Sequence, residues 1–484
     1  MGLSEEIKRE LEHSHSISEI KTNLIRRGYL EEDIDRIISE NIKSRSGEHI
    51  RNDGILTIKE LFDRIGYGFA SQQFINILFM LSGASFLLIG VTNAIKTALI
   101  SLFSGAIIEL RKIKYIGKNL ISMSGIIYGF SFFGMTVALI MKSPILFAVS
   151  LLIGSLGIIA HGDLFLEYSK SLLKHERRSD FLKFISYFGI IITAASLLIA
   201  GFIMEVIPLN GMIIDLGFLG LPEITFKIFG YLIMFEITAI MFILSGYLLS
   251  LIKDTEIVMT ADLNLLRFFK NYFSETVSSY KIFSKNNKIY LLTIATISTT
   301  VLQVIGNSYY GIFIYERFKN QFLGGFLNVA VVFVVALIAS LVGSMLTKRF
   351  AKSLGEAPML VFGTLLISLM PFTMFFNPKL YAIVLAAALS VVGGVIVGIA
   401  QGLLAERLMN ESELRIFFSS LGFVSIIPIL SIGALGAIIA QVLGLSQLFF
   451  YLGMSLALVV MPIYFIIVLI IDAEYRKEKK ERKY

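Results

Sequence analysis

GAIIELRKIKYIG, residues 105–117, interrupts a long apolar stretch with a burst of charge, and GSMLTKRFAKSLG, residues 343–355, repeats its outline. Each copy opens and closes on glycine at the same separation, with basic residues between. Each also sits between segments whose composition suits lipid. Two further echoes keep nearly the same offset: AGFIMEV (200–206) with GAIIAQV (436–442), and HGDLFLE (161–167) with QGLLAE (401–406). A chain that repeats itself in this way reads as two halves of common origin. Parallel repeats are one recurring way of building transporters.

The composition agrees with lipid as the solvent. Of 484 residues, 56% are hydrophobic and 16% charged, with a mean hydropathy of +0.78. A soluble core cannot hide that much apolar surface, so the chain reads as an all-α polytopic membrane protein. Cysteine is absent, which excludes disulfides and thiolate metal sites. The start, MGLSEEIKRELEHSHS, is too charged for a cleaved signal peptide.

A helix needs roughly 20 apolar residues to cross the hydrocarbon core. On that measure twelve spans are expected: 68–90, 94–110, 117–141, 144–167, 181–206 and 224–252, then 289–314, 324–347, 358–376, 380–405, 417–442 and 447–472. Pro144, Pro358 and Pro378 sit at or just before helix starts, and Pro428 and Pro462 should kink the helices that hold them. Twelve crossings put both termini on one side. Only Lys96, Lys142, Lys227, Arg317, Lys319 and Lys379 fall on the other side, leaving 37 of the 43 basic residues with the termini. Positive-inside bias makes that side the cytoplasm, in a multi-pass protein of the cell membrane.

The expected organisation is a cytoplasmic helical extension (1–66), a six-helix bundle (67–252), an amphipathic linker (253–288), a second bundle (289–472) and a basic tail (473–484). Within the extension, ILTIKELFDRIG (55–66) places Ile55, Ile58, Leu61, Phe62 and Ile65 on one face. Such a helix would lie along the cytoplasmic interface.

The paired motif resembles the signature of the major facilitator superfamily, roughly Gly-x-x-x-Asp-Arg/Lys-x-Gly-x-Arg/Lys-Arg/Lys between the second and third helices and echoed between the eighth and ninth. Here Gly105 leads, Glu109 stands where the family has Asp, and Arg111, Lys112 and Lys114 follow. The second copy has Gly343, Thr347, Lys348 and Arg349. Leu110 and Ile113 depart from the pattern. The resemblance implies two pseudo-symmetric six-helix bundles that rock about a central cavity. It also implies a cytoplasmic gate in which Gly105, Glu109, Arg111, Gly343 and Arg349 meet acids closing the next helices, with Asp163, Glu167 and Glu406 as candidates.

In that family the first, fourth, seventh and tenth helices line the cavity. The seventh span here is the most polar, and Thr299, Gln303, Asn307 and Tyr310 share one helical face. Polar groups in hydrocarbon are expensive unless they face protein or water. Gln73 and Asn76 are the first-span candidates. Glu236 is the one deep carboxylate; desolvation favours its protonated form, which suits proton carriage. His161, beside Asp163, is the second proton candidate. No lysine or arginine falls near the expected midplane, which points to a neutral, lipophilic or cationic solute.

The sequence shows neither a phosphate-binding Gly-x-x-x-x-Gly-Lys-Ser/Thr loop nor an HExxH zinc pair. An enzyme, a cofactor and a nucleic-acid partner are therefore not expected. The expected protein is a monomeric secondary transporter in the lipid bilayer, moving a small-molecule solute with protons as the coupling ion. The alternative is a non-transporting facilitator-like sensor or scaffold.

Overall fold

The computed structural model describes residues 24, 52–112, 118–159, 161–162, 165, 168–169, 173, 175–207, 211–215, 225–252, 274, 283 and 286–481. Asp163, Glu167, Gly117, nearly all of residues 1–51 and most of the 253–288 linker lie outside the described residues.

The first half contains α1 (52–69), α2 (Gln72–Leu81), α3 (Phe86–Lys112), α4 (Lys118–Ile140), α5 (Pro144–Ile159), α6 (His175–Val206) and α7 (Gly230–Ser250). The second half contains α8 (Asn287–Phe318), α9 (Gly325–Leu354), α10 (Glu356–Phe376), α11 (Leu380–Leu408), α12 (Glu411–Leu443), α13 (Leu445–Ser455) and α14 (Met461–Glu481). Among the described residues, ten helices are long and apolar enough to cross a membrane, and Gln72–Leu81 and Pro144–Ile159 are shorter apolar helices. The fold is helical with one exception. Two short strands, β1 (Met212–Asp215) and β2 (Thr225–Ile228), pair antiparallel ahead of α7, with Met212 opposite Ile228.

Several boundaries differ from the sequence expectation. The expected span 68–90 is cut at 82–85, where Gly83 adopts φ +98°. The Ala84 amide donates to the Phe79 carbonyl and the Gly83 amide to that of Met80, the double closure of a Schellman cap. Apolar residues run straight through this turn, so hydropathy does not register it. Sequence reading therefore put the second span eight residues late.

The helix expected along the interface is α1. It runs without a break through residue 66 to residue 69. Its polar residues Lys59, Glu60 and Asp63 are buried, while apolar Ile58 is exposed. That is the reverse of an interfacial helix: its charges turn inward to protein partners and an apolar side chain faces out. After an interruption at Ala70–Ser71, α2 continues the span.

The fourth span stops being a plain α-helix after Ile159, and the sixth begins at Gly230 rather than 224. Near the C-terminus, Pro462 does not simply kink its helix. A π-helical turn at Leu456–Val460 precedes it and absorbs the carbonyls a proline ring cannot accommodate.

The halves meet through α3 against α12, α6 against α9 and α2 against α8. Lipid supplies no hydrophobic drive between helices, so such contacts depend on close fit at small residues. A Cβ on Gly311 would meet the Gln73 side chain at 2.8 Å, and one on Gly201 would meet Ala330 at 2.6 Å. One apolar core, including Phe79, Phe132, Phe242 and Phe449, runs through both halves.

Candidate functional site

Two cavities flank the junction of the halves. The first, about 310 Å³, opens beside the interruption between α1 and α2. Its polar lining comes from Tyr67, Ser71, Gln72, Lys96, Tyr128 and Ser155, over an apolar floor of Phe132, Met135 and Leu151. The second, about 370 Å³, lies in the C-terminal half. Gln303, Asn307 and Tyr310 of α8 line it together with Ser390 of α11.

Lys96 is the residue whose place the sequence reading missed. Because α3 starts at Phe86, Lys96 stands ten residues inside the helix. At 1.5 Å per residue this is roughly 15 Å, half of a hydrocarbon core of about 30 Å. A lysine at such depth costs roughly 3 kcal/mol. Its ammonium donates to the Gln72 side-chain oxygen, and among the described residues no carboxylate pairs with it.

Gln72 passes this contact onward. Its amide nitrogen donates to Asn76 Oδ1 at 2.9 Å and to Asn93 Oδ1 at 3.0 Å. Asn93 also donates to Asn76 Oδ1 at 3.0 Å. Asn76 Nδ2 then reaches across the halves to the Asn307 carbonyl at 3.1 Å, and the Gly311 amide donates to Gln73 Oε1 at 2.8 Å. Asn307 C=O and Gly311 N–H are the two ends of one rung of α8. Gln73 and Asn76 therefore clasp α8 at a single backbone position, beside the second cavity. Tyr309 adds a hydrogen bond to the Phe86 carbonyl (2.8 Å), and Glu205 accepts from the Phe326 amide at the start of α9 (2.8 Å). The Tyr309 and Glu205 contacts lie beside the 82–85 and 319–324 turns.

Toward the opposite end, α1 carries a buried ionic cluster. His161 Nε2 lies 3.0 and 3.1 Å from the two oxygens of Asp63. Ser245 Oγ of α7 donates to Asp63 Oδ1 at 2.5 Å. Lys59 Nζ lies 2.5 Å from Asp63 Oδ2 and 3.1 Å from the centre of the Phe165 ring. Side-chain exposures of 1%, 3% and 0% for Lys59, Asp63 and His161 leave no water to screen these charges, and a buried carboxylate persists only where it is paired in this way.

Both nitrogens of His161 face acceptors, since Nδ1 lies 3.3 Å from the Ile121 carbonyl. Nε2 also lies 3.4 Å from Ser245 Oγ, so the ring sits among a carboxylate, a hydroxyl and a backbone carbonyl. Phe242 connects this cluster to the first cavity. Its ring packs edge-on against His161 (6.1 Å), Tyr67 (5.1 Å) and Tyr128 (4.5 Å).

Comparison with known proteins identifies the architecture. No protein-family model and no curated protein sequence matches the chain. Solved structures do. Two structures of the nucleoside transporter NupG align with TM-scores of 0.66 and 0.64 at 11% and 12% identity, each covering 86% of this chain and 99% of that one. A bacterial homologue of the iron transporter ferroportin, in an inward-facing state, aligns at 0.62 with 15% identity over 86% of this chain and 98% of its own. A D-xylose-proton symporter aligns at 0.56 with 12% identity, over 85% and 97%. The fold is a major facilitator fold.

Within the major facilitator fold the expected site residues divide. Gln303, Asn307 and Tyr310 line a cavity together. Thr299 does not line it; it is buried one turn deeper, 3.5 Å from the Tyr464 hydroxyl, which accepts from Gln401 at 2.6 Å. Gln73 and Asn76 are clasp residues rather than cavity walls. His161 pairs with Asp63 rather than with the expected Asp163, which lies outside the described residues. Glu236 is part-exposed on α7 and has no partner among the described residues.

Of the expected gate, the backbone at Gly105, Glu109 and Arg111 belongs to α3. Gly343 is buried where α9 meets α11, its Cβ position 3.2 Å from Val392 Cα. Arg349 and Glu406 are exposed and do not pair with each other. The described ion pair in that region is Arg407–Glu356 at 3.3 Å, between the end of α11 and the start of α10. Asp63 was hidden from sequence reading because the surrounding charges make α1 look like a surface helix. The one available clue was the spacing of Lys59 and Asp63, an i, i+4 pair.

Proposed function

We propose that this protein is a secondary transporter that moves a small organic solute by alternating access and uses protons bound at Asp63–His161. In this reading twelve spans form two pseudo-symmetric six-helix bundles, 52–252 and 289–472. The termini are cytoplasmic, in a monomer of the cell membrane, and residues 1–51 form a cytoplasmic extension. Support for the architecture comes from solved transporters of the same fold and from side-chain contacts between the halves that can open without breaking a helix.

The observation that carries the reading is the buried Asp63–His161 pair. His161 Nε2 faces both Asp63 oxygens and Ser245 Oγ while Nδ1 faces the Ile121 carbonyl, so a change in the number of protons on the pair re-sorts these buried hydrogen bonds. The pair draws on α1, α7 and the segment following α5, so proton binding or release there couples to the packing of those elements. The charged and titratable groups facing it are Lys59, Tyr67 and Tyr128, with the Glu60–Arg64 pair (2.7 Å) on the same helix.

The test is uptake into proteoliposomes across a solute library, with and without an imposed pH gradient. Wild-type protein is expected to accumulate solute when the gradient is present, and Asp63→Asn to lose accumulation at least tenfold while retaining solute exchange. Accumulation by Asp63→Asn equal to wild type removes the pair from the mechanism. No flux of any solute from correctly folded protein removes transport.

A further inference from the structure

We propose that the first cavity binds a small organic monoanion, its charge held by Lys96 and its body by the aromatic and aliphatic walls. The inference rests on the transport reading only in calling that anion the substrate; binding itself is measured without flux.

Three features of the lining point the same way. Lys96 brings a basic side chain to the cavity with one amide oxygen as its described partner. Tyr67 and Tyr128 line the same space, between Lys96 and the Asp63–His161 pair, and no hydrogen bond of either hydroxyl is made among the described residues. Of the other polar walls, Ser131 and Ser155 each spend their proton on a backbone carbonyl of their own helix, and Thr193 donates to the Arg64 carbonyl. The cavity thus offers one basic side chain and two phenols, and its lining contains no carboxylate. A cation in apolar surroundings is stable only with a counter-charge, and a lysine supplies a point charge to any anionic group within reach. One cation matches one negative charge; a second charge on the ligand would go unpaired. Phe132, Met135 and Leu151 favour an apolar body on the rest of the molecule. The expectation of a neutral or cationic solute rested on a midplane free of lysine, and the position of Lys96 removes that ground.

Binding there also has a route to the junction of the halves. Lys96 holds Gln72, and Gln72 holds Asn76, which clasps the Asn307 carbonyl. An anion that takes the Lys96 ammonium competes with Gln72 for it and so loosens the first link of that chain. Lys96 is then a substrate-binding residue, while Gln72 and Asn76 are positioning residues.

The experiment is a thermal-aggregation and calorimetric titration of the full-length protein in detergent or nanodiscs. The probes are benzoate, phenylacetate and hexanoate, each set against its amide and its amine. A carboxylate is expected to stabilise the wild-type protein at least tenfold more tightly than the matching amide or amine. Lys96→Gln, verified as folded by gel filtration, should lose that preference, and Lys96→Arg should restore most of it. Tyr128→Phe should weaken the carboxylate severalfold and leave the amide unchanged. Equal binding of carboxylate and amide, retained preference in Lys96→Gln, or no binding of any carboxylate to folded wild-type protein overturns the assignment. If carboxylates bind at Lys96 and liposome flux is absent, the binding site stands and the transport reading falls.

Discussion

His161 and Asp63, 98 residues apart in the chain, meet at 3.0 Å where neither side chain is exposed to solvent. The approach is possible because Gly125 of α4 has no side chain. A Cβ there would stand 2.7 Å from the His161 ring. Position 125 therefore decides the imidazole's orientation without touching the carboxylate.

Gly125→Ala should consequently mimic His161→Gln. Gradient-driven uptake is expected to fall at least tenfold, while exchange at equal pH on both sides changes by less than about threefold. Uptake measured at two gradients checks this. Wild-type accumulation in Gly125→Ala would mean that the ring orientation does not matter.

Glu236 serves as the contrasting carboxylate. It is part-exposed on α7 with no described partner, nine residues before Ser245, which is about 13 Å along the helix and on the far side of several turns from the His161 pair. Glu236→Gln is expected to leave both the extent of accumulation and its pH profile unchanged. A shifted profile would add Glu236 to the proton route.

The absence of native cysteine permits a clean test of the clasp. The Leu87 amide donates to Gln441 Oε1 at 3.3 Å, joining the start of α3 to the end of α12. Cysteines at 87 and 441 should cross-link with a short bifunctional reagent and stop transport, with recovery when a cleavable linker is reduced. Gly311→Val should lower the cross-linking yield, because a larger side chain pushes Gln73 out of its contact. An unchanged yield would show that the α2–α8 approach does not control closure.

Phe242 makes a stability prediction. It is fully buried and touches Tyr67, Tyr128, Phe132 and His161. Phe242→Ala removes those contacts at a cost of about 3 kcal/mol, visible as a lower midpoint of thermal aggregation. Glu474→Gln, which removes the ion pair with Lys288 between the start of α8 and the end of α14, should cost less than about 1 kcal/mol because Glu474 is half-exposed.

Hydropathy was enough to assign the solvent and the helical class. The reason is that each is a property of the chain taken segment by segment: lipid demands long apolar helices wherever they pack. The polar stripe of α8 was legible for the same reason, since three of its four residues share a helical face and one cavity. The chain's own order also contained the glycine echoes that led to the major facilitator resemblance.

What the tertiary structure decided is which polar groups face one another. Lys96 reads as lying at the non-cytoplasmic start of its span until Gly83 is seen to end α2 early, and that one turn sets it ten residues inside α3. Asp63 reads as a surface carboxylate until α1 is seen to turn its charged face inward, against His161 and Ser245 from distant segments. Pairing across 98 and 182 residues leaves no periodic trace, because it depends on how helices rotate against each other. Local sequence sets that rotation only through packing with neighbours that the folded chain brings together.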